Sequence, residues 1–91
     1  MNNLEQNMRA TNEMLFKTLQ EWDPFSIGEE GYDTEIADSI AAVHRMDHPN
    51  ELAKKIQEIY EFSFEEWIPM ESCLKVAYKL IEIKNTGSCS L

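Results

Sequence analysis

Apolar residues recur at three- and four-residue steps along almost the whole chain, and that period limits the folds open to it. Leu4, Met8, Thr11, Leu15, Leu19 and Trp22 fall on one helical face. Ile36, Ile40 and Val43 form a second stripe, with Ala37 and Ala41 beside it to admit a close neighbour. Leu52, Ala53, Ile56, Ile59 and Tyr60 mark a third. Met70, Cys73, Leu74, Ala77 and Ile81 mark a fourth, and Val76, Leu80 and Ile83 give that helix a second apolar face. No segment alternates with period two. The expected class is all-α, a small bundle of about four helices.

Punctuation sets the boundaries. Asn2 or Asn3 is placed to cap the first helix, and Pro24 ends it near Glu21 or Trp22 by forcing Asp23 out of helical geometry. Asp33 or Thr34 is placed to cap the second, with Glu35 and Asp38 in its first turns, where negative charge suits the helix dipole. Pro49 puts a boundary at 46–48, because proline is tolerated only at a helix start. Ser63-Phe64-Glu65-Glu66 fits a capping box, with Phe62 and Trp67 as its hydrophobic staple. That pattern predicts a short turn at 63–67, then a long helix with Pro69 in its first turn. Asn85-Thr86-Gly87 is expected to end it, giving one helical domain over 1–84 and a mobile tail over 85–91.

One long interruption, Trp22 to Ile36, gathers aromatic, acidic and turn-forming residues between helices 1 and 2. A loop of this length inside a small domain needs its own packing or a binding role. Its Phe25, Ile27, Glu29 and Glu30 are the candidate interaction surface. Trp22 and Tyr32 are expected to be buried and to pin the loop ends, while Glu29 and Glu30 stay in solvent. A calcium loop does not fit: counting from Asp23, Phe25 and Ile27 occupy ligand positions, and Thr34 stands where a bidentate Glu is needed.

The formal charge of -9 in 91 residues, with only eight Lys and Arg, argues against nucleic acid as a partner, since phosphate binding needs cations. A basic protein partner is electrostatically favoured. The first residues carry no basic, apolar signal peptide, and no apolar run approaches membrane-spanning length. Cys73 on an apolar stripe and Cys89 in a polar segment are not a disulfide framework. Both read as reduced thiols of a cytoplasmic protein.

Trp22-Asp23-Pro24-Phe25, Tyr32-Asp33-Thr34-Glu35-Ile36-Ala37-Asp38 and Ile59-Tyr60-Glu61-Phe62-Ser63-Phe64-Glu65-Glu66-Trp67-Ile68-Pro69 together carry a resemblance. The chain resembles a family of short proteins of unknown function from Bacillus-type Gram-positive bacteria, from mid-helix 1 to Lys84. The resemblance implies a small, helical, cytosolic protein and brings no catalytic residues with it.

His44, Asp47, His48 and Glu51 have metal-ligand chemistry at helical steps, but Pro49 puts a helix boundary through the set. His44 near a helix end, and Asp47 or His48 as a cap, is the simpler reading, and no cofactor is expected. Adjacent Glu65 and Glu66 do not face each other on a helix, and Cys73 has no His partner in sequence. Trp22, Phe25, Tyr32, Phe62, Phe64 and Trp67 are expected chiefly to seal a small core, the alternative being an exposed aromatic patch with an acidic rim. These readings favour a non-enzymatic interaction or regulatory module. The alternatives are an inhibitor or immunity-type protein masking a basic toxin or nuclease, and a small enzyme with an unrecognised cleft. A weak homodimer through the first or last helix is the expected assembly, because a chain this short gains from covering apolar surface with a second copy.

Overall fold

Four helices follow one another as α1 (Asn3–Trp22), α2 (Asp33–Arg45), α3 (Pro49–Phe64) and α4 (Met70–Cys89), with one 3₁₀ turn (Glu29–Tyr32) leading into α2. The computed structural model describes residues 3–89 and, within them, the side chains of 8–86. The expected cap at Asn2 lies outside the described residues, and the side chains of Asn3 and Leu4 outside the described side chains. Each helix packs on the one before it, and α4 also packs on α1, which closes the ring.

The apolar stripes meet in one core. Leu15 and Leu19 of α1 join Ile36 and Val43 of α2, Leu52, Ile56 and Tyr60 of α3, and Cys73, Ala77 and Leu80 of α4, all buried. On α4, Val76 and Ile81 are buried as well, so its two expected faces merge into one broad inward sector of about half the circumference. That sector is used up between α1 and α3. On α2 the inward face is rotated from the expected one: Ala37 and Ala41 are exposed, while Ser39 and Ala42 are buried. On α1, Met8 leaves the expected stripe and is 49% exposed.

Local signals were overridden at three helix ends. The N-terminal cap position of α2 belongs to Tyr32, and Asp33 is already helical, so neither Asp33 nor Thr34 caps. His48 does occupy the position before α3, with extended backbone, but its side chain makes no capping bond. The expected capping box at Ser63 does not form. Instead α3 continues through Ser63 to Phe64, and Glu65 closes it in the left-handed region (φ 58°, ψ 31°), its N–H donating to the Glu61 carbonyl at 2.8 Å. The reason lies in register. Leu52, Ile56, Tyr60 and Phe64 fall at four-residue steps, so extending the helix delivers Phe64 to the core. That burial outweighs a local cap. The staple fails with it, because Phe62 and Trp67 both point to solvent.

Pro69 precedes α4, and its carbonyl accepts from the N–H groups of Ser72 and Cys73 at 3.0 and 3.2 Å. The far end of α4 passes the expected stop at Asn85-Thr86-Gly87 and reaches Cys89.

These ends generate opposite expectations for two neighbouring substitutions. Ser63→Ala falls on an exposed helical position and is expected to change stability by less than about 0.5 kcal/mol. Glu65→Gly relieves a left-handed non-glycine residue and is expected to stabilise by about 0.5–1 kcal/mol. Denaturant melts of both variants check this; a Ser63→Ala loss above about 1 kcal/mol would restore the capping box.

Candidate functional site

The long interruption is built around one carboxylate and one phenol. Pro24 prevents α1 from continuing, and Asp23 turns the chain with a positive φ of 38°. From there its Oδ1 accepts the Ile27 N–H at 2.9 Å, and its Oδ2 accepts the Gly28 N–H at 3.2 Å. The buried Tyr32 donates its hydroxyl proton to Asp23 Oδ1 at 2.5 Å and accepts the Phe25 N–H at 3.0 Å. The bond from Tyr32, joined by the two backbone N–H groups, holds the Asp23 carboxyl below its usual range. Burial pushes the Tyr32 hydroxyl up, and its bond to Asp23 adds to the shift. Gly28, at φ 101° and ψ 156°, supplies a backbone shape that is essentially restricted to glycine.

Behind this hub lies an aromatic cluster. Trp22 meets Tyr60 edge-on at 5.3 Å, Phe25 packs on Phe64 at 4.9 Å, and Tyr32 touches Tyr60 and Phe64 at 5.7 and 5.6 Å. Tyr32 is thus buried, as expected, and Trp22 half-buried. Of the candidate loop surface, Phe25 is drawn inward. Ile27 stays half in solvent and lies over Gly31, where a Cβ would meet its Cδ1 at 2.6 Å. Glu29 and Glu30 are exposed.

The four metal-type residues are separated. His44 Nε2 lies 2.7 Å from Asn12 Oδ1 on α1. Asp47 pairs with Lys84 at 2.9 Å, and that bond and charge lower its carboxyl. His48 and Glu51 are exposed at the start of α3. Among the described residues no three His, Cys, Asp or Glu side chains are grouped to hold a metal ion. Lys84 has a role that no sequence signal announced. Its Nζ also donates to the carbonyls of Val43 and Met46 at 2.9 and 3.2 Å, closing the C-terminus of α2 from across the bundle.

Buried reactive groups are muted by burial. The Cys73 thiol is pushed up to about 11, far from the reactive thiolate range. The Tyr60 hydroxyl is raised by burial and then by the nearby Glu35 carboxylate, so it stays protonated. It lies beside Ser39 Oγ, and among the described residues neither hydroxyl has a well-formed hydrogen bond. An open cleft of about 520 Å³ between α1 and α4 brings Glu21 and Trp22 near Ser72, Lys75 and Lys79. No hydrogen bond joins any two of those side chains as a nucleophile and its base.

Two aromatic residues expected in the core are left exposed near the turn between α3 and α4. Phe62 is 86% exposed and Trp67 62% exposed. Phe62 is outward because α3 buries Ile56 and Tyr60, and position 62 lies about 200° round the helix from Tyr60. Trp67 is outward because Ile68, its neighbour in the connection, is buried, and the Ile68 carbonyl accepts from Gln57 Nε2 at 2.8 Å. In the same stretch of chain Glu65, Glu66 and Glu71 are exposed, and Glu61 is half-buried.

Comparison with known proteins agrees with this architecture. Residues 14–90 match the model of a domain of unknown function, DUF1871. The chain belongs to that family. It is 48% identical over 81 residues to the uncharacterized protein YugE of Bacillus subtilis (strain 168), covering 89% of this chain and 93% of the relative. The crystal structure of APC36109 from Bacillus stearothermophilus superposes with a TM-score of 0.84 at 41% identity, covering 86% of this chain and 96% of that one. The family is one whose function is unknown, as the sequence resemblance implied. Among the described residues no helix is long and apolar enough to cross a membrane.

The Asp23 hub carries a pH signature. A carboxyl lowered on folding contributes stability that is fully present above its unfolded value near 3.8 and is lost as pH falls through the lower folded value. Asp23→Asn is therefore expected to flatten the acid limb of a stability-against-pH curve below about pH 4 and to leave its shape unchanged near neutrality. Glu29→Gln with Glu30→Gln, which alters only exposed carboxylates, is expected to change stability by less than about 0.5 kcal/mol. Denaturation at stepped pH distinguishes the two sets. An acid limb identical in Asp23→Asn and the parent would remove the hub from the account.

Proposed function

We propose that this protein is a non-catalytic interaction module of the cytoplasm, and that it docks a basic protein segment on the α3–α4 turn. The observation that carries the reading is the exposure of Phe62 and Trp67 in a chain whose Trp22, Phe25, Tyr32 and Phe64 are packed. Large aromatic side chains bring much apolar area at little entropic cost, and they are enriched among residues that dominate binding energy. The rim of Glu61, Glu65, Glu66 and Glu71 supplies the field that would steer a cationic partner. Glu29 and Glu30 add charge from the loop at the same end of the bundle.

A non-catalytic role is supported by the chemistry of the interior. The buried thiol and phenol are held protonated, and the cleft beside Lys75 contains no assembled nucleophile and base. The loop takes part chiefly as a packed support. Its Phe25 braces Phe64, three residues before Trp67, so the aromatic turn rests on a rigid base.

A photo-crosslinking side chain placed at position 62 in a Bacillus host is expected to trap a basic protein that the same probe at exposed Asp38 does not. With that partner purified, Phe62→Ala and Trp67→Ala are each expected to weaken binding by about tenfold or more while leaving the melting curve close to the parent's. Binding is also expected to fall with added salt. Equal trapping at positions 62 and 38, or an affinity indifferent to both truncations, would overturn the reading.

A further inference from the structure

A second apolar surface lies away from that turn, between α1 and α2. Met8 is 49% exposed and Phe16 37% exposed, and with the half-buried Ile40 they border an open groove of about 690 Å³. Arg9 and Glu13 line the same groove. On α1, Met8, Asn12 and Phe16 form a row at four-residue steps, and Arg9 and Glu13 form the next row outward. On α1, Met8, Met14 and Phe16 are all exposed; α4 leaves Met70 and Tyr78 exposed outside its inward sector, but it is Met8 and Phe16 that share one groove with a complementary pair of charges, Arg9 and Glu13.

We infer that a second copy of this chain occupies the groove, with the two α1 helices antiparallel about a two-fold axis near Asn12. The argument is self-complementarity. A two-fold contact must join residue i to residue j of the partner and j to i. An antiparallel pairing centred near Asn12 sets Met8 of each copy against the partner's Phe16. It brings Arg9 of each copy within side-chain reach of the partner's Glu13. One cation and one anion, four residues apart on one row, thereby become two opposite-charge pairs on the rim of a small apolar contact. A parallel pairing, about an axis along the helices, would put the two Arg9-Glu13 rows on opposite edges of the contact and form neither charge pair. Among the described residues neither Arg9 nor Glu13 takes part in an ion pair within the chain. The contact is small and its charges are exposed, so a weak, concentration-dependent dimer is the expected species.

Symmetry supplies the test. In sedimentation experiments the parent is expected to pass from monomer to dimer across the micromolar range. Arg9→Glu puts a carboxylate opposite the partner's Glu13 in both pairs, and Glu13→Arg puts a guanidinium opposite the partner's Arg9 in both. Each variant alone is therefore expected to dimerise at least about tenfold more weakly. An equal mixture of the two variants gives a heterodimer in which two carboxylates of one copy face two guanidiniums of the other, so opposite charges meet in both pairs and parental affinity is expected to return. Both positions are exposed, and circular dichroism confirms that each variant is folded. A parent that stays monomeric at high micromolar concentration overturns the proposal. So do single variants that dimerise like the parent, or a mixture that behaves as the sum of its parts. Phe62→Ala and Trp67→Ala leave this equilibrium unchanged, which separates this contact from the α3–α4 turn.

Discussion

Burial of Tyr32 is the constraint on which the remaining architecture rests. Its ring fills the centre of an aromatic cluster contributed by α1, the loop and α3, and its hydroxyl must then find partners away from water. It finds two: the Asp23 carboxylate and the Phe25 N–H. Those bonds fix the first turn after α1, and the carboxylate in turn takes up the N–H groups of Ile27 and Gly28. The passage between α1 and α2 therefore has few unsatisfied backbone donors, although it forms only one turn of regular structure. Phe25 is thereby placed against Phe64, and the same contact favours extending α3 past Ser63. Loop and turn are two sides of one packing problem.

The opposite end of the bundle solves a similar problem with a single cation. Carbonyls at the end of α2 have no following helical turn to satisfy them, and Met46 covers only one through its own N–H. Lys84 arrives from α4 with its stem half-buried and its ammonium directed at two of these carbonyls and at Asp47. Positive charge at a helix C-terminus also complements the helix dipole. The bundle is thus closed at one end by aromatic packing around a phenol and at the other by a lysine clamp.

Helix number, class and most core positions were legible in the sequence, because a period of three to four residues directly reports which face is buried. Pro24 and Pro49 marked their boundaries for a local steric reason that tertiary packing cannot override. The capping box at Ser63 misled because capping is worth about 1 kcal/mol, less than burying an aromatic ring. The Leu52, Ile56, Tyr60, Phe64 series was the stronger signal and overruled the cap. Ser39 was missed: the stripe of Ile36, Ile40 and Val43 with Ala37 and Ala41 centred the inward face of α2 elsewhere, and packing rotates the helix to bury Ser39 and Ala42 instead. Lys84 was not readable. Its partners stand about forty positions away, and only the closed fold brings them together.

What distinguishes the surface is where packing left aromatic residues unburied. The α3 helix can turn only one face to the core, and the choice of Ile56, Tyr60 and Phe64 assigns Phe62 to solvent as a geometric consequence. Trp67 follows from the anchoring of Ile68, which the Gln57 bond holds in place. A mere solvated turn would satisfy both constraints equally well with Lys or Gln at positions 62 and 67. Polar residues there would keep the fold and reduce the tendency of exposed rings to associate. Neither ring is required by the core, and it is this surplus of exposed aromatic surface, in a stretch with four carboxylates, on which the proposed docking role rests.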